Sequence, residues 1–317
     1  MSLQQDVHRL MQRQLLAWPL LREHHDGLAS AKLRTFYFDG YSIRAQWNPK
    51  RIISSSAKVD ESSLRERPCF LCRENMPPEE ECVSAGSGFE IMCNPYPIFR
   101  DHFTIARISH TPQVIDPEFG SLLELSRELP DLVVFYNAPS CGASAPDHMH
   151  FQAGNRDFIP VGRESDILAD TYGRPLGEKG RRELHLVDDG MRRFVMLESS
   201  DREFIESVFR VFSEFMRMEA GGEEPMVNIL SYYSRSWKVF LFPRRAHRPR
   251  QYFEDGEENL LLSPASVDMG GTLILPLEKD FLKITAEDIR DVFNQVVMSD
   301  SDFHRLSRVL EKEFTRR

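Results

Sequence analysis

The chain has 317 residues, 41% of them hydrophobic and 28% charged, which supports a sizeable core and argues against global disorder. That length suits one large domain or two joined halves. A net charge of −9 argues against a protein that coats nucleic acid, but it leaves room for a nucleotide pocket, which needs only a few local donors. Met1 is followed by a polar, charged segment, and no later stretch reaches transmembrane length, so neither a secretory signal nor a membrane partner is expected. The five cysteines are an odd number without an export signal, which suits a reducing compartment, with the cytoplasm as default.

In chain order, residues 2–25 space Val7, Leu10, Leu15, Leu16 and Leu20 as one amphipathic helix. Residues 36–47 alternate as a strand that ends at Asn48-Pro49, and the polar stretch 54–58 leads to the knuckle Cys69-Phe70-Leu71-Cys72. Strands are expected at 89–92 and 102–106, around the turn Asn94-Pro95-Tyr96-Pro97. A helix is expected at 117–128 and an apolar strand at 132–137. Residues 160–190 are rich in Gly, Arg, Asp and Glu and read as a linker or flap. A second unit follows, with a helix at 201–218, strands at 226–233, 237–242 and 272–276, and helices at 286–297 and 302–314. The halves share a rough order without a crisp repeat, so a duplication is suspected. The fold class is α+β rather than a regular parallel alternation.

The segment 144–152, Ser-Ala-Pro-Asp-His-Met-His-Phe-Gln, carries the chemistry. His148, His150 and Gln152 stand at period two, interleaved with Met149 and Phe151, so a strand presents the three polar side chains on one face. A lone strand histidine is most often a satisfied core residue. Three polar neighbours on one face point instead to attack on phosphate, since imidazole is a nucleophile near neutral pH and an amide bonds oxygen without changing charge. His150 is the expected nucleophile, its other ring nitrogen held by a backbone carbonyl. Gly142 and Ala143 bring backbone N–H groups close to a phosphate, and Ser144 adds a hydroxyl; most such loops are plain turns. Asn48, Asn94 and Asn137 end strands, where asparagine is common in turns; Asn137, only a short loop before the histidines, is the one expected to reach the site. Arg244 and Arg245 form a basic turn that either grips phosphate or is merely solvated. The Met269-Gly270-Gly271-Thr272 segment either admits a ligand or bends into a strand.

Cys69 and Cys72 bring two thiolates within reach of one ion, or are two incidental thiols. A tetrahedral Cys2His2 zinc site needs two further ligands, for which His110 and His148 are the choices; four protein ligands make such zinc structural.

Taken together, residues 135–137, 142–144 and H-x-H-x-Q at 148–152 resemble the histidine-triad superfamily. The nearest branch comprises galactose-1-phosphate uridylyltransferase, diadenosine tetraphosphate phosphorylase and GDP-hexose phosphorylase. The resemblance is clear from about Arg44 to Asn155; Asn228, the turn at Arg244 and Gly270-Gly271 are merely compatible with it. It implies antiparallel histidine-triad-like sheets flanked by helices in two related halves. Residues 1–160 form the catalytic half, 161–190 the linker or flap, and 191–317 a second half completing the substrate pocket. It implies Zn2+ on Cys69, Cys72, His110 and His148, His150 as nucleophile and Gln152 as the phosphate-supporting amide. Asn94, Asn137, Gly142, Ala143, Arg244 and Arg245 are the expected substrate contacts, with His150, Gln152 and Ser144 as the catalytic set.

The activity implied is nucleotidyl transfer or phosphorolysis on a nucleoside diphosphate sugar or dinucleoside polyphosphate, through a nucleotidyl-histidine, with phosphate or a sugar phosphate as acceptor. A hydrolase of the same fold and a zinc-stabilised nucleotide-binding protein without turnover are the alternatives. A homodimer is common among the resembled families. Asp147 lengthens the Ser144 to His148 interval relative to the uridylyltransferases, and Met149 replaces their proline, which makes the motif locally nearer to the phosphorylases.

Overall fold

The computed structural model describes residues 2–49, 67–176 and 181–315; the polar stretch 54–58 lies outside them. The expected first helix is two, Leu3–Ala17 and Pro19–Gly27. Pro19 has no N–H for the preceding turn and drives Trp18 into extended backbone, which breaks the helix there. The expected strand at 36–47 is the end of a hairpin, β1 (Lys32–Tyr37) and β2 (Ser42–Trp47). Gly40, at φ +86°, makes its turn, and the Phe38 N–H donates to the Tyr41 carbonyl at 2.9 Å.

Two sheets follow from the remaining strands. The strands are β3 (Cys82–Ser84), β4 (Phe89–Cys93), β5 (His102–Arg107), β6 (Leu132–Asn137), β7 (His150–Asn155), β8 (Gly173–Pro175), β9 (Arg182–Asp188), β10 (Arg193–Ser199), β11 (Val227–Tyr233), β12 (Trp237–Pro243) and β13 (Thr272–Leu275). The larger sheet has ten strands in the order β3-β4-β5-β7-β6-β11-β12-β10-β9-β8, and the smaller has the order β1-β2-β13. The ten-stranded order is two copies of one arrangement. From its outer edge inward the first half reads first, second, third, fifth, fourth in chain order, and the second half reads the same way. Helix Phe119–Glu128 joins third to fourth strand in one half, and Arg202–Glu219 does so in the other. The two fourth strands, β6 and β11, pair antiparallel at the centre, with Asn137 opposite Asn228. The suspected duplication is thus a property of the topology.

Helices Leu3–Ala17, Phe119–Glu128, Arg202–Glu219 and Asp300–Phe314 share a core with one face of this sheet, including Val134, Tyr136, Phe151, Ile229 and Leu241. On the other face Val133, Phe135, Leu230, Phe240 and Phe242 pack with the smaller sheet and helix Ala286–Val296. Each such phenylalanine, fully buried, contributes about 1.5–3 kcal/mol.

The stretch expected to be a linker or flap is regular: helix Pro160–Tyr172, then β8 and β9. Its exposed Arg163, Asp166 and Asp170 give it a polar composition, while Val161, Ser165, Leu168 and Ala169 turn inward at helical spacing.

Candidate active site and metal centre

β7 and the two residues before it divide as their alternation requires. Met149, Phe151 and Ala153 enter the core shared with the helices. Gln152 lies on the opposite face, in register between Thr104 of β5 and Phe135 of β6, and His150 lies opposite Ala106. The corresponding face of β12 carries Phe240 and Phe242 in an apolar core. The same face of the repeated arrangement thus carries imidazoles in the first half and phenylalanine rings in the second.

His150 is 3% exposed. Its Nδ1 lies 2.8 Å from the His148 carbonyl, which can only accept, so Nδ1 carries the hydrogen and Nε2 the lone pair. Burial pushes this imidazole down to about 4, against the opposing pull of the His148 carbonyl, so it is neutral and nucleophilic at pH 7.

Gln113, in the loop after His110, was missed by sequence reasoning. Its amide Nε2 donates to the carbonyls of Asn137 (3.0 Å) and His150 (2.9 Å), and its Oε1 accepts the His150 N–H (2.7 Å). The β6–β7 ladder stops at Phe135 and Gln152. Gln113 continues it with a side chain, holding the strands apart at His150 while satisfying their backbones. No spacing rule marks a solitary loop glutamine.

Cys69, Cys72, His110 and His148 have ligand atoms all within 4.8 Å of one another. The Nδ1 of His148 is 3.3 Å from Cys69 Sγ and 3.6 Å from Cys72 Sγ, and that of His110 is 3.1 Å from Cys72 Sγ. Two sulfurs and two nitrogens so grouped fit a tetrahedral ion, whose ligands stand about 3.3–3.8 Å apart at ordinary zinc bond lengths. Burial, then neighbouring Cys69, pushes the Cys72 thiol up to about 11, a shift that a bound cation would oppose. The outer nitrogens are also engaged: His148 Nε2 donates to the Arg107 carbonyl at 2.7 Å, and Asp147 Oδ2 is 3.7 Å from His110 Nε2. The residue that lengthened the motif thus faces a histidine of that cluster. The cluster can hold a metal.

The knuckle also fixes the loop before the histidines, because Arg67 Nη2 donates to the Ser144 carbonyl at 2.9 Å. In that loop the N–H groups of Cys141 and Ala143 point to the Ala138 carbonyl. Those of Gly142 and Ser144 have no partner among the described residues. Gly142 sits at φ +113°, where a Cβ would stand 2.6 Å from the Ala265 Cβ. Glycine is required there twice over, by conformation and by the approach of the second half.

The second half contributes differently from the sequence expectation. Arg244 is 3% exposed and all five of its donors are consumed: Nε by the Val296 carbonyl, Nη1 by Asn228 Oδ1 and the Pro264 carbonyl, Nη2 by the carbonyls of Ala246 and His247. It has no fork left for a phosphate. Asn228 Nδ2 in turn donates to Asn137 Oδ1 and the Cys141 carbonyl, both at 2.8 Å. Arg244 therefore braces the loop. Arg245 is exposed and turns away, donating to the Asn294 and Gln295 carbonyls at the end of helix Ala286–Val296.

Asn137 shares the histidine face, and its Oδ1 also accepts the Ser266 N–H at 2.8 Å. Asn94 is committed to its own turn, accepting from Tyr96 N–H and donating to Thr104 Oγ1. Gly270 admits the side chains of Ile159 and Leu230 in tight packing, and the Gly271 carbonyl accepts from Arg44. Concavities bounded by Arg156, Tyr232 and Lys238, and by Gln251, Lys283 and Asp291, contain none of the histidine-face residues.

Comparison with known proteins follows the same division. Residues 10–155 match a domain of unknown function, DUF4922, and residues 184–315 match the GDPGP1-like C-terminal domain. The crystal structure of yeast Ap4A phosphorylase Apa2 is similar at a TM-score of 0.60 and 14% identity, over 88% of this chain and 97% of that one. Its complex with Ap4A gives 0.62 and 14%, over 92% and 97%, and its complex with AMP gives 0.60 and 12%, over 94% and 98%. A search of curated proteins gives no significant sequence match. The chain shares the fold of these phosphorylase structures. The match of residues 184–315 and the shared fold bear out the resemblance read from the sequence, to the GDP-hexose and Ap4A phosphorylase branch.

Proposed function

We propose that this protein is a nucleotidyltransferase or phosphorylase that works through a covalent nucleotidyl-histidine on His150. The observation that carries this is the hydrogen bond from His150 Nδ1 to the His148 carbonyl, which leaves Nε2 unprotonated as a nucleophile. The substrate is a nucleoside diphosphate sugar or a dinucleoside polyphosphate, a class that agrees with the Ap4A and AMP complexes of the structural relative. Nε2 attacks the α-phosphorus in line, forming a P–N bond as the bond to the bridging oxygen breaks. Inorganic phosphate or a sugar phosphate then attacks the same phosphorus, and the imidazole leaves.

In this reading the Gly142 and Ser144 N–H groups, the Ser144 hydroxyl and the Gln152 amide support the phosphate oxygens, with Ala143 shaping the loop and the Asn137 amide on the same row. This is positioning and charge stabilisation, the main demand of such transfers. The metal of Cys69, Cys72, His110 and His148 is assigned as structural Zn2+, tying the knuckle to the catalytic strand. A neutral Gln152 supplies no mobile proton to water, so transfer should exceed hydrolysis. The test is a screen of UDP-, GDP- and ADP-sugars and diadenosine tetraphosphate, each with and without phosphate. Turnover that requires phosphate or a sugar phosphate supports the reading; equal turnover without either acceptor contradicts it.

A further inference from the structure

Beside His148 and His150, the first-half sheet face carries a third buried imidazole that the sequence left without a role. His102 of β5 is 1% exposed and stands diagonally across the ladder from Gln152. Its Nδ1 accepts the Ile98 N–H at 3.3 Å, and its Nε2 is 2.9 Å from Gln152 Oε1. A nitrogen that accepts an N–H carries no hydrogen, so the ring is neutral and its hydrogen is on Nε2. That hydrogen can only meet the oxygen of the Gln152 amide, which turns the amide NH2 group the other way.

The ring itself has little freedom. The edge of Phe99 packs on it at 5.1 Å and Phe135 lies nearly parallel at 6.3 Å between centroids. Phe99 reaches this position because residue 154, opposite His102 in the register, is glycine; a Cβ there would stand 2.3 Å from the Phe99 ring.

We propose that His102 is a positioning residue that fixes the rotamer of Gln152, so that the amide offers donors, and not its oxygen, to the phosphate on His150. This rests on the reading of His150 as a nucleotidyl carrier. An unrestrained glutamine would present its carbonyl oxygen to the phosphate part of the time, where it repels the anion. Gly154, Phe99, Ile98 and His102 form a relay that decides which end of the amide the substrate meets.

The test compares His102→Phe, which keeps an aromatic ring between Phe99 and Phe135 without a donor, with His102→Gln, whose Nε2 reaches the same point. Transfer is measured with diadenosine tetraphosphate and phosphate, and 15N NMR of the wild-type histidines reads the tautomer. The expected results are an Nε2–H ring at position 102 at pH 7, and for His102→Phe a fall in kcat of about tenfold, the worth of one hydrogen bond, with little change in KM. His102→Gln should recover most of that loss. An Nδ1-protonated ring, an unimpaired His102→Phe, or a His102→Gln no better than His102→Phe overturns the proposal. Absence of any nucleotide adduct on wild-type His150 would instead overturn the underlying enzyme reading, and leaves the NMR signature of the pair intact.

Discussion

Arg244→Lys separates bracing from phosphate binding. The substitution keeps the charge but offers three donors where the native side chain uses five, to oxygens of Val296, Asn228 and Pro264 in buried bonds and of Ala246 and His247 in part-buried ones. At least two acceptors lose their partner. At about 1–2 kcal/mol for each orphaned buried group, the loss should be about 2–4 kcal/mol. Against a typical stability of about 5–15 kcal/mol this is readily measured, and for a chain of this size it corresponds to a fall in Tm of about 3–6 °C. The assay is thermal and urea unfolding, with transfer kinetics at a temperature where both proteins are folded. Loss of stability with KM for the nucleotide within about twofold is the expected pair of results, twofold being under about 0.5 kcal/mol of binding. Unchanged stability with a KM raised tenfold or more would refute the bracing argument and restore Arg244 to phosphate contact.

Two further outcomes follow from the same geometry. On the proposed metal assignment, His148→Ala should lower the metal content, measured by elemental mass spectrometry, together with stability; full metal content without activity would move His148 from the metal set to the chemistry. Gly142→Ala should destabilise by about 2–4 kcal/mol, combining strain at φ +113° with the contact on Ala265, and a chemical unfolding curve superimposable on the native one would contradict the required close approach.

Much of the site was legible because it follows a short period. Alternation alone placed His148 and Gln152 on the face of His150, and the C-x-x-C pair with His110 and His148 marked the ligand cluster that the fold assembles. The strand at Leu132–Asn137 was legible as a continuous apolar run because both of its faces are buried. Pro19 and Gly40 were legible as breakers but were outweighed by the apolar spacing around them, so one helix was expected where there are two and one strand where there is a hairpin.

Composition misled at residues 160–172, where exposed charges hid a buried helical stripe. The fate of Arg244 was not legible at all: a guanidinium bound by five backbone and amide oxygens and one bound to phosphate have the same local sequence. Gln113 depends on a pairing between strands remote in the chain. His102 did leave a signal, since His102 and Thr104 repeat the period-two polar pattern beside β7.

The central claim is a P–N bond at one ring nitrogen. Intact-protein mass spectrometry after brief incubation with diadenosine tetraphosphate or a nucleotide sugar, without acceptor, tests it most directly. The account predicts a nucleotidyl adduct that maps to His150, disappears on addition of phosphate or a sugar phosphate, and is absent from a folded, zinc-loaded His150→Ala variant. An adduct that survives in His150→Ala, or turnover by the wild-type protein through no adduct at any time point, would contradict it.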